Sequence, residues 1–272
     1  MTYKLAVIGV GNMARAVISG IQASSSAVSE IRLFDKITSQ YDLLKSGSCS
    51  YVICNSVSEA VNEADCVFLS VKPQNFPDLL TEIASCSNYS SKLYVTIAAG
   101  ITSTSVSEAL GSASVVRVLP NLPMVIGNGV SVICKNDKVS NEDFSFVRSL
   151  FEYSGSTVLI DECDMNRMIG VTSSSPAYVF KLIDCIYNGA IAQGLEPNGL
   201  VDAICDVFIG SAMLLKSSGE SPDTLISRVA SKGGTTEKAL ETLNNADIDK
   251  IIASAMLACT KRADELGKQD KK

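Results

Sequence analysis

The chain contains no histidine and no tryptophan. The first absence excludes the most. Without histidine the commonest general acid/base and the commonest metal ligand are missing. A Ser-His-Asp or Cys-His nucleophile system is impossible within one chain, and no metal centre is expected. Any chemistry rests on a bound cofactor, or on Lys, Tyr, Thr or carboxylates. Basic charge is also short: 23 Lys and Arg stand against 29 Asp and Glu, for a net charge of −6. Nucleic acid and anionic membrane surfaces need clustered cations, so neither is expected as a partner. No apolar run is long enough to span a bilayer. The short apolar stretch near the start belongs to a strand, so no signal peptide is expected. There are nine cysteines but no CxxC pair. Most sit in apolar runs as small buried hydrophobes do, which suits a reducing cytoplasm. No internal repeat or low-complexity segment is visible.

What is present is a globular composition. The 272 residues are 46% hydrophobic and 19% charged, enough for one large or two modest domains. The most informative stretch is Ile8-Gly9-Val10-Gly11-Asn12-Met13-Ala14. It follows the apolar run Leu5–Ile8 and precedes Val17, Ile18 and Ile21 at helical spacing. Strand, tight glycine turn and helix is the order of a dinucleotide-binding turn. Gly9 permits the turn, and Gly11 lets a pyrophosphate approach the backbone. Ala14 is small enough for close packing of helix on strand. The amides of Asn12 and Met13 then sit at a helix N-terminus, where anions are favoured.

Strands are expected at Ile31–Phe34, Tyr51–Cys54, Cys66–Val71, Leu93–Ile97, Val115–Leu119, Val130–Cys134 and Thr157–Ile160. Helical patterns lie near Gln40–Lys45, Val57–Glu63, Phe76–Ala84, Ser103–Leu110 and Asp143–Tyr153. The alternation predicts an α/β fold with a doubly wound, mostly parallel, Rossmann-like sheet. Near Glu162 the strand signals stop. The division expected is residues 1–162 as a dinucleotide-binding domain and 163–272 as an all-helical domain for substrate and dimerisation. Tyr178–Ile191 is apolar on nearly every face, and helices Asn198–Lys216 and Ile248–Leu266 follow. So small a helical domain has little interior for such a helix, which points to burial against a second copy. Gly267–Lys272 reads as a polar, frayed tail.

Several segments are candidate sites. Asp35, 26 residues after Gly9, ends the second strand, where a carboxylate binds the adenosine ribose. An acid there favours NAD, while the neighbouring Lys36 suits the extra phosphate of NADP, so the two residues conflict. Ser70-Val71-Lys72-Pro73 and Ala98-Ala99-Gly100 follow strands whose carboxyl ends bind ligands in such sheets. Ser173-Ser174-Ser175-Pro176 reads as the start of a helix, with proline at its first position and serine as cap. Ser231-Lys232-Gly233-Gly234-Thr235-Thr236 opens another helix, where exposed amides offer a seat for a carboxylate.

Taken in order, these segments resemble the pyrroline-5-carboxylate reductase family. The resemblance also includes Val67–Pro73, Ala98–Ile101, Arg117–Pro123 and Pro176–Phe180, and it covers nearly the whole chain. It implies reduction of the cyclic imine L-1-pyrroline-5-carboxylate to L-proline with NADPH or NADH. It implies homodimers that commonly assemble further as decamers, with an active site between the cofactor and C-terminal helices of both chains. It places Thr236 at the ring nitrogen and the amides of Gly233, Gly234 and Thr235 at the carboxylate. Ser174 and Pro176 would line the substrate pocket. Protonated, the imine is already electrophilic, so the reaction needs positioning more than a strong protein acid. Ser173 and Ser175 stand where the family usually has glycine. A glycine there with positive φ, or in close contact, would make serine a strain or an obstruction. Asn166 stands for the usual Asp or His, Arg167 for a small residue, and Lys232 for a frequent proline. The related β-hydroxyacid dehydrogenases carry a lysine with an asparagine four residues later, but Lys181 is followed at that spacing by Cys185. A dinucleotide-binding homologue without turnover, or a reductase of another imine, are the other readings.

Overall fold

The structure is a computed structural model that describes residues 2–24, 27–44, 47 and 49–269. The order begins with β1 (Tyr3–Ile8), α1 (Asn12–Ser24), β2 (Val28–Phe34), β3 (Ser50–Ile53) and α2 (Val57–Asn62). Then come β4 (Cys66–Leu69), α3 (Phe76–Ala84), β5 (Leu93–Thr96), α4 (Ser103–Ala109) and β6 (Ser114–Leu119). β7 (Gly129–Lys135), α5 (Asn141–Glu152) and β8 (Gly155–Leu159) complete the sheet. The strand order is β3-β2-β1-β4-β5-β6-β7-β8, parallel except where β7 runs against β6.

The central strands are apolar throughout because both faces are covered. Along β1, Leu5 and Val7 pack into the core under α1 and α5, while Ala6 and Ile8 pack into the core under α2, α3 and α4. β4 alternates the same way, with Cys66 and Phe68 on one face and Val67 and Leu69 on the other. The order reverses between β1 and β4, and ligands of doubly wound sheets bind at such a switch point.

One expected helix differs. Gln40–Lys45 is represented by a 3-10 turn, Thr38–Leu43, that buries none of its residues, and Lys45 lies outside the described residues. Of the tail expected to fray, Gly267–Gln269 still belong to the last helix, and residues 270–272 lie outside the described ones.

After β8 the chain is helical: α6 (Met165–Met168), a π turn (Ile169–Ser173), α7 (Ser175–Ala192), α8 (Leu200–Ser218), α9 (Pro222–Val229), α10 (Thr235–Asn245) and α11 (Ile248–Gln269). By contact the chain divides into one unit of residues 1–176 with 256–272, and another of 177–255. The change of sequence pattern near Glu162 therefore precedes the change of contacts. Met165, Ile169 and Ala263 pack with Leu119, Val132 and Cys134 of the sheet, which holds α6 and the end of α11 in the first unit. Within the second unit α7 buries none of its residues, and Phe180, Ile186, Val207, Ile209 and Met213 are 49–65% exposed. Among the described residues no helix is long and apolar enough to cross a membrane.

Candidate active site

The glycine turn sits at the switch point. Ser70 donates its N–H to Ile8 O at 2.9 Å, and Gly9 donates to Phe34 O at 2.8 Å, so the ends of β4, β1 and β2 are tied together. Gly9 has φ +92°, and a Cβ on it would lie 3.0 Å from both the carbonyl carbon and oxygen of Ser70. Glycine is thus required twice, by conformation and by space. Gly11 differs: a Cβ there would meet nothing within 4 Å among the described residues. That space lies before the first turn of α1, where Asn12 is the first helical residue and Ala14 is fully buried. The free amides of a helix start beside an open glycine fit a cofactor pyrophosphate.

Asp35 lies just beyond β2, and both its carboxylate oxygens are bonded to backbone. Oδ2 accepts from Val10 N–H at 2.6 Å and Oδ1 from Ile37 N–H at 2.8 Å. Its own N–H donates to the Tyr41 hydroxyl at 2.6 Å. Lys36 is exposed beside it. Val71 packs on the core under α3, and Lys72 and Pro73 lead into a short 3-10 turn. Ala98 is buried and Ala99 partly so. At Gly100 (φ +83°) a Cβ would lie 2.7 Å from Ala263 O, so α11 closes against this turn. The turns carrying Gly9, Asp35, Ser70 and Ala98 all leave the carboxyl ends of adjacent strands β1, β2, β4 and β5.

Ser173–Pro176 does open a helix: α7 begins at Ser175, with Pro176 next. The approach to it differs from a free cap, because Ser174 is itself right-handed helical (φ −92°, ψ −24°) and joins the π turn to α7. Ser174 N–H reaches Ile169 O at 2.8 Å, an i→i−5 bond. Pro176 has no N–H for the carbonyl four residues back, so Thr172 O is released from the helix ladder. Asn121 takes it, donating Nδ2–H at 3.1 Å while its Oδ1 accepts from Val130 N–H at 2.8 Å. The serine that was expected to cap instead bonds backward, Ser175 Oγ to Thr172 O at 3.3 Å. Neither Ser173 nor Ser175 has a positive φ, so serine in place of glycine brings no backbone strain. Ser173 Oγ is buried with no hydrogen-bond partner among the described residues. π turns occur frequently at functional sites.

In the second unit, the Ser231–Thr236 run does open a helix, but two of the three amides expected to be free are engaged. Gly233 N–H donates to Glu237 Oε2 at 2.7 Å and Gly234 N–H to Ser231 O at 2.9 Å. The backbone folds onto itself here because Gly233 adopts φ +75°. Thr235 and Thr236 begin α10, where the first N–H groups have no intrahelical acceptor. They are the amides left to receive an anion.

Two arrangements were missed from sequence. Arg117 on β6 is 1% exposed and bonds Asn166 Oδ1 at 2.6 Å, with Glu162 Oε1 3.6 Å away. Burial pushes its guanidinium pKa down, opposed by Glu162. Glu162 also accepts from Ser103 N–H at 2.5 Å, and Asn166 Nδ2 donates to Asp264 at 2.7 Å. A buried cation thus ties β6, α4, α6 and α11 together. The residue at 166 is the amide that joins Arg117 to Asp264, a role open to a side chain that both accepts and donates. The other arrangement is Asn121, which follows Pro120 and lies in the Arg117–Pro123 segment that the resemblance includes without giving this residue a role.

A family model described as pyrroline-5-carboxylate reductase dimerisation matches residues 162–266. A second, described as NADP oxidoreductase, coenzyme F420-dependent, matches residues 4–100. The pyrroline-5-carboxylate reductase of Corynebacterium melassecola is 32% identical over 97% of this chain and 98% of its own. The chain belongs to the pyrroline-5-carboxylate reductase family. The Escherichia coli K12 relative of that name is 31% identical over 98% of this chain and 100% of its own. Among solved structures, pyrroline carboxylate reductase of Plasmodium falciparum with NADP bound aligns with a TM-score of 0.86 at 25% identity, covering 97% of this chain and 98% of that one. The family accounts for the doubly wound sheet and for the helices after it. The dimerisation match covers the second unit, whose apolar side chains are left exposed in one chain.

Proposed function

We propose that the protein reduces L-1-pyrroline-5-carboxylate to L-proline with NADPH or NADH, the last step of proline synthesis. The observation that carries this reading is the match, along almost the whole chain, to reductases of that name. The open space beside Gly11 at the switch point fits the cofactor. Ile8–Met13 would hold the pyrophosphate, and Asp35 and Lys36 would face the adenosine. Ser70–Pro73 and Ala98–Gly100 would form the floor under the nicotinamide half. When bound, the cofactor supplies a hydride from its nicotinamide C4. The protein's part is binding and orientation, which suits a chain without histidine.

Thr236 is the catalytic residue of this reading, its hydroxyl hydrogen-bonding the ring nitrogen as hydride reaches the adjacent carbon. The amides of Thr235 and Thr236 would seat the carboxylate, with Gly233 and Gly234 shaping the turn that presents them. Ser174 and Pro176 would wall the pocket, the π turn setting their direction. The functional division would then be 1–162 for cofactor and 163–272 for substrate and dimerisation, although contacts divide the chain elsewhere. The dimers would assemble into decamers in the cytoplasm, a reducing compartment that suits a chain with nine cysteines and no CxxC pair.

The test is loss of nicotinamide absorbance when pyrroline-5-carboxylate is added, with proline counted against cofactor consumed. One proline per cofactor supports the reading. Thr236→Val should lower kcat by about 10–100-fold, the loss expected for one positioned hydrogen bond. Cofactor binding without any proline would overturn the reading.

A further inference from the structure

Asp35 and Lys36 leave the choice between NADPH and NADH open, and the structure brings a third residue to the question. Arg15 lies in the first turns of α1, and its guanidinium spans two segments. Nη1 donates to Val10 O at 2.9 Å and to Gln40 Oε1, and Nη2 donates to Asn12 Oδ1 at 2.5 Å. Val10 and Asn12 belong to the glycine turn, and Gln40 to the 3-10 turn after β2. These are the two segments between which a doubly wound sheet holds the adenosine ribose. Three of the five N–H donors are used, and among the described residues Nε–H and one Nη2–H have no acceptor. The side chain is only partly buried.

The acid that would oppose a phosphate there is already committed. Each Asp35 oxygen accepts a backbone N–H, one from Val10 and one from Ile37, so the carboxylate closes the turn onto the end of β2. We propose that Arg15 is the specificity-determining residue for the cofactor, its guanidinium binding the 2′-phosphate of NADPH and making the chain prefer NADPH to NADH. A planar fork with donors to spare suits a phosphate better than the Lys36 ammonium, which has no fixed partner among the described residues. Gln40 and Asn12 hold the fork in place before the cofactor arrives. This rests on the reading that the glycine turn binds a dinucleotide, and it adds which one and by what residue.

The experiment measures binding rather than turnover, on the purified full-length chain, by calorimetry with NADPH, NADH, adenosine 2′,5′-bisphosphate and 5′-AMP. The wild type should bind NADPH about tenfold or more tighter than NADH, and the bisphosphate tighter than 5′-AMP by a similar factor. Arg15→Ala should cost NADPH about tenfold more than it costs NADH, Arg15→Lys should recover part of that, and Lys36→Ala should cost less. Equal wild-type affinities, equal losses for both cofactors in Arg15→Ala, or a collapse of preference in Lys36→Ala alone would each overturn the assignment to Arg15. If no cofactor binds the wild type, the dinucleotide reading fails as well. If the preference holds while no proline forms, only the proposed activity fails.

Discussion

Replacing Gly9 and Gly11 separately with alanine should separate the two functions of the glycine turn. At Gly9 the backbone has φ +92°, where an L side chain costs about 1–2 kcal/mol. The new Cβ would also lie 3.0 Å from Ser70 C and O, which are backbone atoms held by the Ser70 N–H bond to Ile8 O. Relief needs the β4 end to move a few tenths of an ångström, and overpacking of this kind costs about 1–3 kcal/mol. The total, about 2–5 kcal/mol, is a large part of a domain stability of about 5–15 kcal/mol. At about 2–4 °C per kcal/mol, the first thermal transition should fall by about 4–20 °C. At Gly11 no atom of the described residues lies within 4 Å of the new Cβ and φ is not positive, so stability should change by less than about 0.5 kcal/mol. The methyl would occupy the space beside the helix start, and dinucleotide affinity should fall by about tenfold or more. Thermal melts and cofactor titration of both variants are the assay. A Gly11→Ala variant that binds the cofactor as tightly as wild type would refute the placement of the pyrophosphate. A Gly9→Ala variant of unchanged stability would refute the packing argument.

Glu162→Ala should lower stability by about 2–4 kcal/mol, because it leaves the buried Arg117 without its carboxylate and removes the acceptor of Ser103 N–H. A urea-unfolding change below about 1 kcal/mol would place this pair with ordinary surface ion pairs. Asn121→Ala should cost about 2–4 kcal/mol by the same assay, since Val130 N–H loses its acceptor and Thr172 O a donor in a nearly buried place. Stability should be nearly flat between about pH 6 and 8, where a chain without histidine has little to titrate. It should fall above about pH 9. Burial holds the Tyr3 and Tyr94 phenols and the Cys66 thiol protonated far up the scale and pushes Cys134 up to about 12. Their raised folded pKa values mean stability is full below the unfolded values near 8.5–10 and is lost as the unfolded chain ionises first. A fall in the urea midpoint between pH 6 and 8 would contradict this.

Much of the sheet was legible because its strands are buried on both faces and so read as short apolar runs. Leu93–Thr96 and Cys66–Leu69 are bounded in the sequence almost where they end in space. The helix α9 was not read, although Ser221 caps it, accepting from Thr224 N–H at 3.2 Å, and Pro222 follows at the first position. Leu225, Ile226 and Val229 do lie at helical spacing, but eight residues span only about two turns, too short for the period to stand out. The start of α7 at Ser175 was legible from its Ser-Pro opening, but the π turn Ile169–Ser173 that runs into it was not. Nothing local signals that, since the compensating partner, Asn121, is 51 residues from Thr172. The Gly-Gly run was read as offering amides, but Glu237, four residues after Gly233, takes one of them. Arg15 escaped notice because a cation on an amphipathic helix is ordinary in sequence. Only the contacts to Val10 and Gln40 show which way it turns.

The most direct measurement of the central claim follows the hydride itself. NADPH carrying deuterium at nicotinamide C4, on the face that is transferred, is incubated with the purified protein and pyrroline-5-carboxylate, and the proline is analysed by mass spectrometry and NMR. The account predicts one deuterium per proline, at the ring carbon that was part of the C=N bond. Unlabelled proline from either face-labelled cofactor, or no proline at all from a protein that binds the cofactor, would contradict it.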